Sequence, residues 1–301
     1  MRRAGYRLLG PGFDYLLHTR PAEWPIMAAH TLMGYLLAVG LQGAWSGERF
    51  APAVLGLGLW VICLNGGTLA LNSAYDRDEG DVAYLRRPPP PPRHLAGFGL
   101  LLMFSGLSAA FLLPTGYRVA YAVCLVLSVL YSVPPVRLKA VPGADWVINM
   151  WGFGTLTPYA GWAATGLPVR PAYGLVLLGF CPLFAALYPL TQIYQFEEDS
   201  RRGDRTLARS LGVKGSLLVS LGAAAVGFSV FATAGRVAGW SAPDAWRWLA
   251  LGLCALVWGA VLINWLRGHE RMGVKEHQRG MYLALAAWAV TDLAVVVTWS
   301  T

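Results

Sequence analysis

Residues 51–71 read APAVLGLGLWVICLNGGTLAL, and residues 72–81 continue directly as NSAYDRDEGD. The first stretch holds no charged residue and has the length of about 20 apolar residues that a helix needs to cross a bilayer. Asn72 and Asp76 follow at its end, and their i, i+4 spacing puts them on one helix face. This abrupt change from apolar to charged predicts a spanning helix with a polar site at its rim.

The rest of the chain has the same membrane character. Of its 301 residues, 56% are hydrophobic and 13% charged, whereas roughly a quarter are charged in soluble domains. The sequence therefore predicts an all-α polytopic membrane protein with nine transmembrane helices. Residues 1–23 are predicted to form a cytoplasmic interfacial segment, and residues 24–301 the transmembrane domain. The predicted spans are Trp24–Trp45, Ala51–Leu71, Leu95–Leu113, Tyr117–Val133, Asp145–Ala164, Tyr173–Tyr194, Ser216–Ala234, Trp246–Trp265 and Met281–Trp299.

The positive charges predict the orientation in the lipid bilayer. With the N terminus inside, 19 of the 24 Lys and Arg residues fall in cytoplasmic segments and five fall outside. We expect a bacterial inner-membrane protein whose N terminus and site mouth face the cytoplasm. The net charge of +8 follows this distribution, so no nucleic-acid partner is expected.

A second acidic cluster follows the sixth predicted span. Residues 195–199 read QFEED, and Gln195 and Asp199 again have i, i+4 spacing. Carboxylate and carboxamide oxygens are the ligands that Mg²⁺ prefers, commonly together with substrate phosphates. We predict that the two clusters hold Mg²⁺ ions that bridge a diphosphate. The candidate metal ligands are Asn72, Asp76, Gln195, Glu198 and Asp199, with Asp78 and Asp81 as further candidates.

Basic residues follow both clusters and recur after the fourth predicted span, where residues 131–139 read YSVPPVRLK. Arg binds phosphate through two prongs and Lys adds a point charge. Taken alone, these basic residues are explained by the positive-inside rule. Their position beside the acidic clusters favours a diphosphate-binding site. The candidate diphosphate ligands are Arg77, Arg137, Lys139, Arg202 and Arg205. The candidate catalytic residues are Asp76, Asp199, Tyr131 and Lys139.

Other residues indicate no separate chemistry. The four cysteines lie in apolar runs without a CxxC pair, and the five histidines lack the spacing of zinc ligands. For Asn65 an interhelical hydrogen bond is favoured over a place in the pocket. Asp292 is predicted to lie toward the outer side of the last span, away from the site and without an assigned role.

These motifs resemble those of the UbiA superfamily of intramembrane prenyltransferases over nearly the whole chain. Residues 72–77 are similar to its first Asp-rich motif and residues 197–207 (EEDSRRGDRTL) to its second. Residues 131–139 are similar to a loop of its chlorophyll-synthase and homogentisate branch. The resemblance implies nine helices around a central cavity, Mg²⁺-dependent ionisation of a prenyl diphosphate, and prenyl transfer to a lipophilic acceptor. It implies Asn72, Asp76 and Asp199 as metal ligands, and Arg77, Lys139, Arg202 and Arg205 as diphosphate ligands.

Three positions depart from the family pattern. Gly80 stands where a further Asp is usual, Gln195 replaces the first Asp of the second motif, and Pro135 replaces a Lys. We therefore expect a rearranged metal site. Two alternatives stay open: a terpene cyclase with no separate acceptor, and a non-catalytic transporter or lipid-binding protein. The transporter is disfavoured because transporter sites lie near the bilayer midplane.

Overall fold

The computed structural model describes residues 2–45, 47–76, 85, 87–196, 200, 203 and 205–300. Its helices follow one another through short connections. In chain order they are α1 (Arg2–Leu9), α2 (Phe13–His18), α3 (Trp24–Gly43), α4 (Phe50–Asp76), α5 (Leu95–Leu112), α6 (Thr115–Ser132), α7 (144–163), α8 (Pro171–Gln195), α9 (Leu207–Val237), α10 (Ala242–Arg271) and α11 (Val274–Trp299).

Eight of the described helices, α3 to α6 and α8 to α11, are long and apolar enough to cross a membrane. The remaining predicted span is α7, which is a continuous helical run over 144–163. It carries buried Asp145 and Asn149, and these polar side chains make it less apolar than the others. The prediction of an all-helical polytopic membrane protein is confirmed, and the difference of one helix concerns α7 alone.

Two helix ends matter for the site. Helix α4 continues past Leu71 to Asp76, so Asn72 and Asp76 do share a helix face. Helix α9 begins at Leu207, well before the predicted start at Ser216, and the Thr206 side chain caps it by accepting from the backbone N–H of Arg209. A positive φ of 68° at Gly212 breaks the helix between these first turns and the predicted span Ser216–Ala234.

The helices pack into two hydrophobic clusters that share a seam. One cluster joins α4, α5 and α6, the other joins α8 to α11, and α3 and α7 contribute to both. At the seam, a methyl group on Gly34 would overlap the Pro158 carbonyl, and one on Gly161 would overlap the Thr31 carbonyl. Small residues allow this close approach of helices in a bilayer. The α3–α7 crossing therefore joins the two halves of the bundle.

The N-terminal segment has an exposed part and a buried part. In α1, Leu8 is 84% exposed, which fits a helix lying at a lipid interface. After α2, Thr19 is buried against Gly66 of α4 and its carbonyl accepts a hydrogen bond from Trp24 Nε1 at 3.0 Å. Contact of residues 1–23 with the membrane surface stays a prediction.

Candidate active site

A cluster of acid, amide and base lies at the end of α4. Lys139 Nζ donates hydrogen bonds to Asn72 Oδ1, at 3.1 Å, and to Asp76 Oδ1. Arg137 Nη2 lies 3.4 Å from the same Asp76 oxygen. The side chains of Asp76 and Lys139 are only 6% and 8% exposed, and charges attract more strongly where little water screens them. We call Asn72, Asp76, Arg137 and Lys139 the rim cluster.

The loop after α6 brings both cations to α4. Helix α6 ends at Ser132, and Arg137 then adopts a left-handed backbone conformation with φ of 36°. The short 3-10 turn Leu138–Ala140 follows and buries Lys139. The two candidate residues of this loop, Arg137 and Lys139, thus lie beside the first acidic cluster, whereas Tyr131 lies in the last turn of α6.

The rim cluster has the donor chemistry of a Mg²⁺ site. The oxygens of Asn72 and Asp76 converge on a single cation, the Lys139 ammonium, and such hard oxygens are the ligands that Mg²⁺ takes in proteins. Within the described residues, no group of three or more His, Cys, Asp or Glu side chains forms a metal site. The other candidates, Arg77, Asp78, Asp81, Glu198, Asp199 and Arg202, lie outside the described residues. The meeting of the two acidic clusters therefore stays a prediction.

Two candidate residues in or after the second acidic cluster, Gln195 and Arg205, lie in the part of the chain that the structure describes. Gln195, at the end of α8, donates from Nε2 to the Tyr194 hydroxyl at 3.0 Å. Arg205 is exposed and lines a surface groove together with Arg209. Their proposed metal and diphosphate contacts stay predictions.

Asp145 connects the second cluster to the rest of the site, and sequence analysis missed it. Its carboxylate is fully buried, and Oδ2 accepts hydrogen bonds from Gln192 Nε2 at 3.2 Å and from the Leu207 backbone N–H at 3.1 Å. Its other oxygen accepts from the Gly143 N–H at 2.9 Å. One carboxylate thus holds both ends of segment 193–206 beside the loop that carries Lys139. The only local signal was an acid at the start of an apolar span.

The candidate Tyr131 belongs to a hydrogen-bonded chain that leads to Asp145. Its hydroxyl lies 2.8 Å from the hydroxyl of Tyr188 on α8. The Tyr188 hydroxyl in turn accepts from Gln192 Nε2 at 3.1 Å. These contacts connect Tyr131 through Tyr188 to Gln192, which also donates to Asp145.

A cavity of about 140 Å³ opens directly beneath the rim cluster. We call it the first cavity, and its lining residues include Asn65, Thr68, Asn72, Tyr131, Asn149 and Phe153. Parts of its wall come from two π-helical segments, Leu59–Asn65 in α4 and Met150–Leu156 in α7. Such segments are rare and occur frequently at functional sites. Because Asn72 belongs to both the cavity and the rim cluster, a polar head and an apolar tail can bind as one molecule.

A second cavity of about 250 Å³ adjoins the first through shared wall residues, among them Asn149 and Phe153. Its wall is aromatic: the Phe153 and Phe184 rings stack at 5.2 Å, and Trp288 meets Phe184 edge-on at 5.5 Å. The faces of such rings attract cations. The two cavities lie side by side, with Asn149 and Phe153 in the wall that they share.

Paired charges border the second cavity. Just before α3, Arg20 and Glu23 lie 3.6 Å apart. Burial raises the pKa of the Glu23 carboxyl, and Arg20 partly opposes this rise. Deeper in the wall, His30 Nδ1 lies 2.9 Å from Asp292 Oδ1. Asp292 thus has a partner and lies behind the wall of the second cavity. Sequence could not reveal this pair, since its members are 262 positions apart.

The fold and the site together define an integral membrane protein whose helical bundle encloses apolar cavities beneath a cluster of acid and base. The profile of the UbiA prenyltransferase family matches residues 27–288, and the chain belongs to this family of membrane prenyltransferases. The resemblance inferred from the motifs is confirmed.

The relatives include proteins named for different compounds, lycopene and chlorophyll. The chain is 28% identical over 229 residues to the lycopene elongase/hydratase of Halobacterium salinarum. This match covers 73% of this chain and 79% of the relative. It is 30% identical over 165 residues to the chloroplastic chlorophyll synthase of Arabidopsis thaliana, covering 46% of this chain and 42% of that one.

Solved structures share the fold. A UbiA homologue from Archaeoglobus fulgidus, bound to DMAPP and Mg²⁺, superposes with a TM-score of 0.66 over 94% of this chain and 99% of its own, at 19% identity. A digeranylgeranylglyceryl phosphate synthase superposes with a TM-score of 0.68 over 95% of this chain and 97% of its own, at 13% identity. The predicted UbiA-like bundle is therefore confirmed.

Proposed function

We propose that this protein is a Mg²⁺-dependent prenyltransferase that ionises a prenyl diphosphate and transfers the prenyl group to a separate lipophilic acceptor. The observation that carries the proposal is the position of the rim cluster directly above the first cavity, with Asn72 in both. A charged head fits the cluster, and an apolar chain fits the cavity. The DMAPP and Mg²⁺ bound to the Archaeoglobus fulgidus homologue support this choice of head and metal.

In this proposal the rim cluster binds the diphosphate. Arg137 and Lys139 attract its oxygens, while Asn72 and Asp76 provide half of a metal site. Ligands from segment 193–206 complete it, with Asp199 as the leading candidate. Mg²⁺ bound there would neutralise charge on the departing diphosphate.

The cavities then protect the reactive prenyl group. The bond between prenyl C1 and the diphosphate oxygen breaks, and its electron pair leaves with the diphosphate. Apolar walls keep water from the allyl cation, and the rings of Phe153 and Phe184 stabilise its charge. The acceptor donates an electron pair to C1 and then loses a proton.

The second cavity supports transfer over cyclisation. It adjoins the first cavity and has a volume of its own, about 250 Å³, so two apolar molecules can meet at the shared wall. A cyclase needs room for only one chain. The orientation in the membrane, with the rim cluster facing the cytoplasm, is part of the proposal and rests on the distribution of Lys and Arg.

Product analysis tests the proposal. Detergent-purified protein with Mg²⁺ would receive geranyl, farnesyl or geranylgeranyl diphosphate, with and without phenolic, alcohol and polyene acceptors. We expect products whose mass equals acceptor plus prenyl group minus one proton. Terpene hydrocarbon or alcohol made without acceptor would favour the cyclase. Absence of diphosphate release under every condition would contradict an enzymatic function.

A further inference from the structure

A groove of about 480 Å³ lies at the end of the bundle opposite the rim cluster. It forms where α8 and α10 begin and where α9 and α11 end. Helix α8 runs from this groove to Gln195, so roughly 35 Å of helix separates the groove from the second acidic cluster. We call it the arginine groove, and its lining residues include Arg170, Tyr173, Trp240, Asp244, Arg247 and Trp299.

Both arginines of the groove lie over aromatic rings. The Arg170 guanidinium is 5.6 Å from the centre of the Tyr173 ring, and that of Arg247 is 5.5 Å from the centre of the Trp240 ring. The Trp240 and Trp299 rings are themselves 4.6 Å apart. Trp and Tyr are enriched at the level of the lipid headgroups in membrane proteins. The groove therefore has the composition of a site that faces lipid headgroups.

The arginine groove carries a net positive charge, because two guanidinium groups face one carboxylate. That carboxylate, Asp244, is already engaged through both oxygens. Its Oδ1 lies 3.3 Å from Arg247 Nε, and its Oδ2 accepts a hydrogen bond from the Ser241 backbone N–H at 3.0 Å. Arg170 is exposed at the mouth of the groove. Basic pockets between transmembrane helices attract anionic lipid headgroups.

Trp299 gives a second and independent indication of a ligand. It lines the groove and is only 5% exposed. In the part of the chain that the structure describes, its buried Nε1 has no hydrogen-bond partner, although its carbonyl accepts from the Tyr173 hydroxyl at 3.1 Å. The indole N–H is a donor only, and a buried donor without an acceptor is unfavourable. A ligand oxygen in the groove would satisfy it.

We propose that the arginine groove binds the phosphate of an anionic phospholipid from the leaflet opposite the rim cluster. Arg170 and Arg247 bind phosphate oxygens through charge-assisted hydrogen bonds, and Trp299 Nε1 donates to an oxygen of the same headgroup. Val237 lines the groove and is 53% exposed, so it continues the groove as an apolar surface for an acyl chain. The bound lipid joins the ends of four helices. The proposal is independent of the proposed function, because none of these residues belongs to the candidate active site.

Native mass spectrometry of the delipidated full-length protein tests the proposal without substrate. Dioleoyl phosphatidylglycerol and dioleoyl phosphatidylcholine carry the same chains and phosphate, but the second adds a choline cation. The affinity of each lipid would be measured for wild type, Arg170→Gln and Trp299→Phe, with inorganic phosphate as a competitor. Arg118→Gln is the matched control, since Arg118 lies over the Phe111 ring at the same end of the bundle but outside the groove.

We expect wild type to bind phosphatidylglycerol at least about tenfold more tightly than phosphatidylcholine. Arg170→Gln should lower this preference about fivefold, the effect of one cation beside an anionic headgroup. Trp299→Phe should weaken the binding of both lipids about three- to tenfold, because both accept the lost hydrogen bond. Arg118→Gln should bind both as wild type does.

Three results would overturn the proposal. The first is equal affinity of wild type for the two lipids. The second is lipid binding that is unchanged in both Arg170→Gln and Trp299→Phe, which is also the result if the groove holds only water. The third is displacement of phosphatidylglycerol by millimolar inorganic phosphate, because the groove would then be a site for free phosphate. Diphosphate release by wild type tests the proposed function separately.

Discussion

The backbone N–H of Leu207 donates a hydrogen bond to Asp145 Oδ2 at 3.1 Å, and Gln192 Nε2 donates to the same oxygen at 3.2 Å. Leu207 opens α9 and Gln192 belongs to the last turns of α8, so the segment between them begins and ends at one buried carboxylate. That segment carries Gln195, Asp199 and Arg205. Asp145 therefore binds the residues that flank this segment on both sides.

Asp145→Asn tests this role. The substitution keeps the shape of the side chain but replaces one carboxylate oxygen by an NH₂ group. This hydrogen-bond donor would face another N–H donor. Loss of a buried hydrogen bond costs about 1–3 kcal/mol of stability. We expect a folded but less stable protein whose Mg²⁺ requirement for diphosphate release rises at least about tenfold, as when groups that orient metal ligands are lost.

The matched control is Asp244→Asn, which changes a carboxylate paired with Arg247 at 3.3 Å, far from the rim cluster. Its Mg²⁺ requirement should equal that of wild type. An unchanged Mg²⁺ titration in Asp145→Asn would show that segment 193–206 is held by other contacts.

Lys139 donates to the two oxygens, on Asn72 and Asp76, that the proposed function also assigns to Mg²⁺, so the proposal predicts competition between them. Removing the ammonium in Lys139→Met should therefore strengthen Mg²⁺ binding without substrate, seen as a larger Mg²⁺-induced rise in melting temperature. Diphosphate release should fall, because a cation that binds phosphate is lost. Exposed Lys214 offers the control variant Lys214→Met. If Mg²⁺ raised the melting temperature of Lys139→Met no more than that of wild type, this would argue against competition between Lys139 and Mg²⁺.

The Tyr131 and Tyr188 hydroxyls, 2.8 Å apart, join the first cavity to the chain that leads to Asp145. Tyr188→Phe removes this contact, and we expect kcat to fall about three- to tenfold, the effect of one neutral hydrogen bond. Steady-state kinetics with a prenyl diphosphate would measure it. Tyr173→Phe is the control, because that hydroxyl donates to the Trp299 carbonyl at 3.1 Å instead. Equal kcat in both variants would exclude a role for the tyrosine pair.

The buried pair of His30 and Asp292 predicts a stability effect. Asp292→Leu leaves His30 Nδ1 without its hydrogen-bond partner, and leaving a buried polar group unsatisfied costs about 1–3 kcal/mol. The double variant His30→Phe with Asp292→Leu should recover part of the loss, since neither polar group is then left alone. Thermal unfolding in detergent measures both. Additive losses in the double variant would contradict the coupling of the pair.

The sequence predicted the features that depend on local patterns. Apolar length predicted the spans, and the i, i+4 spacing of Asn72 and Asp76 predicted their common face because α4 is regular there. Residues 131–139 were predicted to join the candidate site, and Arg137 and Lys139 do contact Asp76. Contact of Lys139 with both Asn72 and Asp76 was not predicted, because their approach depends on how α6 and α7 pack against α4.

The remaining features arise from long-range contacts. Asp145 and Leu207 are 62 positions apart, and His30 and Asp292 lie at opposite ends of the chain. No periodicity links such pairs. Asn65 could be seen to lie near the pocket, but the lack of a hydrogen-bond partner for its Nδ2 among the described residues required the positions of all neighbouring side chains.

Diphosphate release tests the central claim most directly. Wild-type protein, Asp76→Asn, Asp199→Asn and the control Asp244→Asn would be assayed with geranylgeranyl diphosphate, with Mg²⁺ and after its removal by EDTA. The account predicts Mg²⁺-dependent release by wild type and control, and a loss of about 100-fold or more in both other variants, since a metal supplies several kcal/mol of charge stabilisation. Release that persists in EDTA, or that is unchanged in Asp76→Asn and Asp199→Asn, would contradict it.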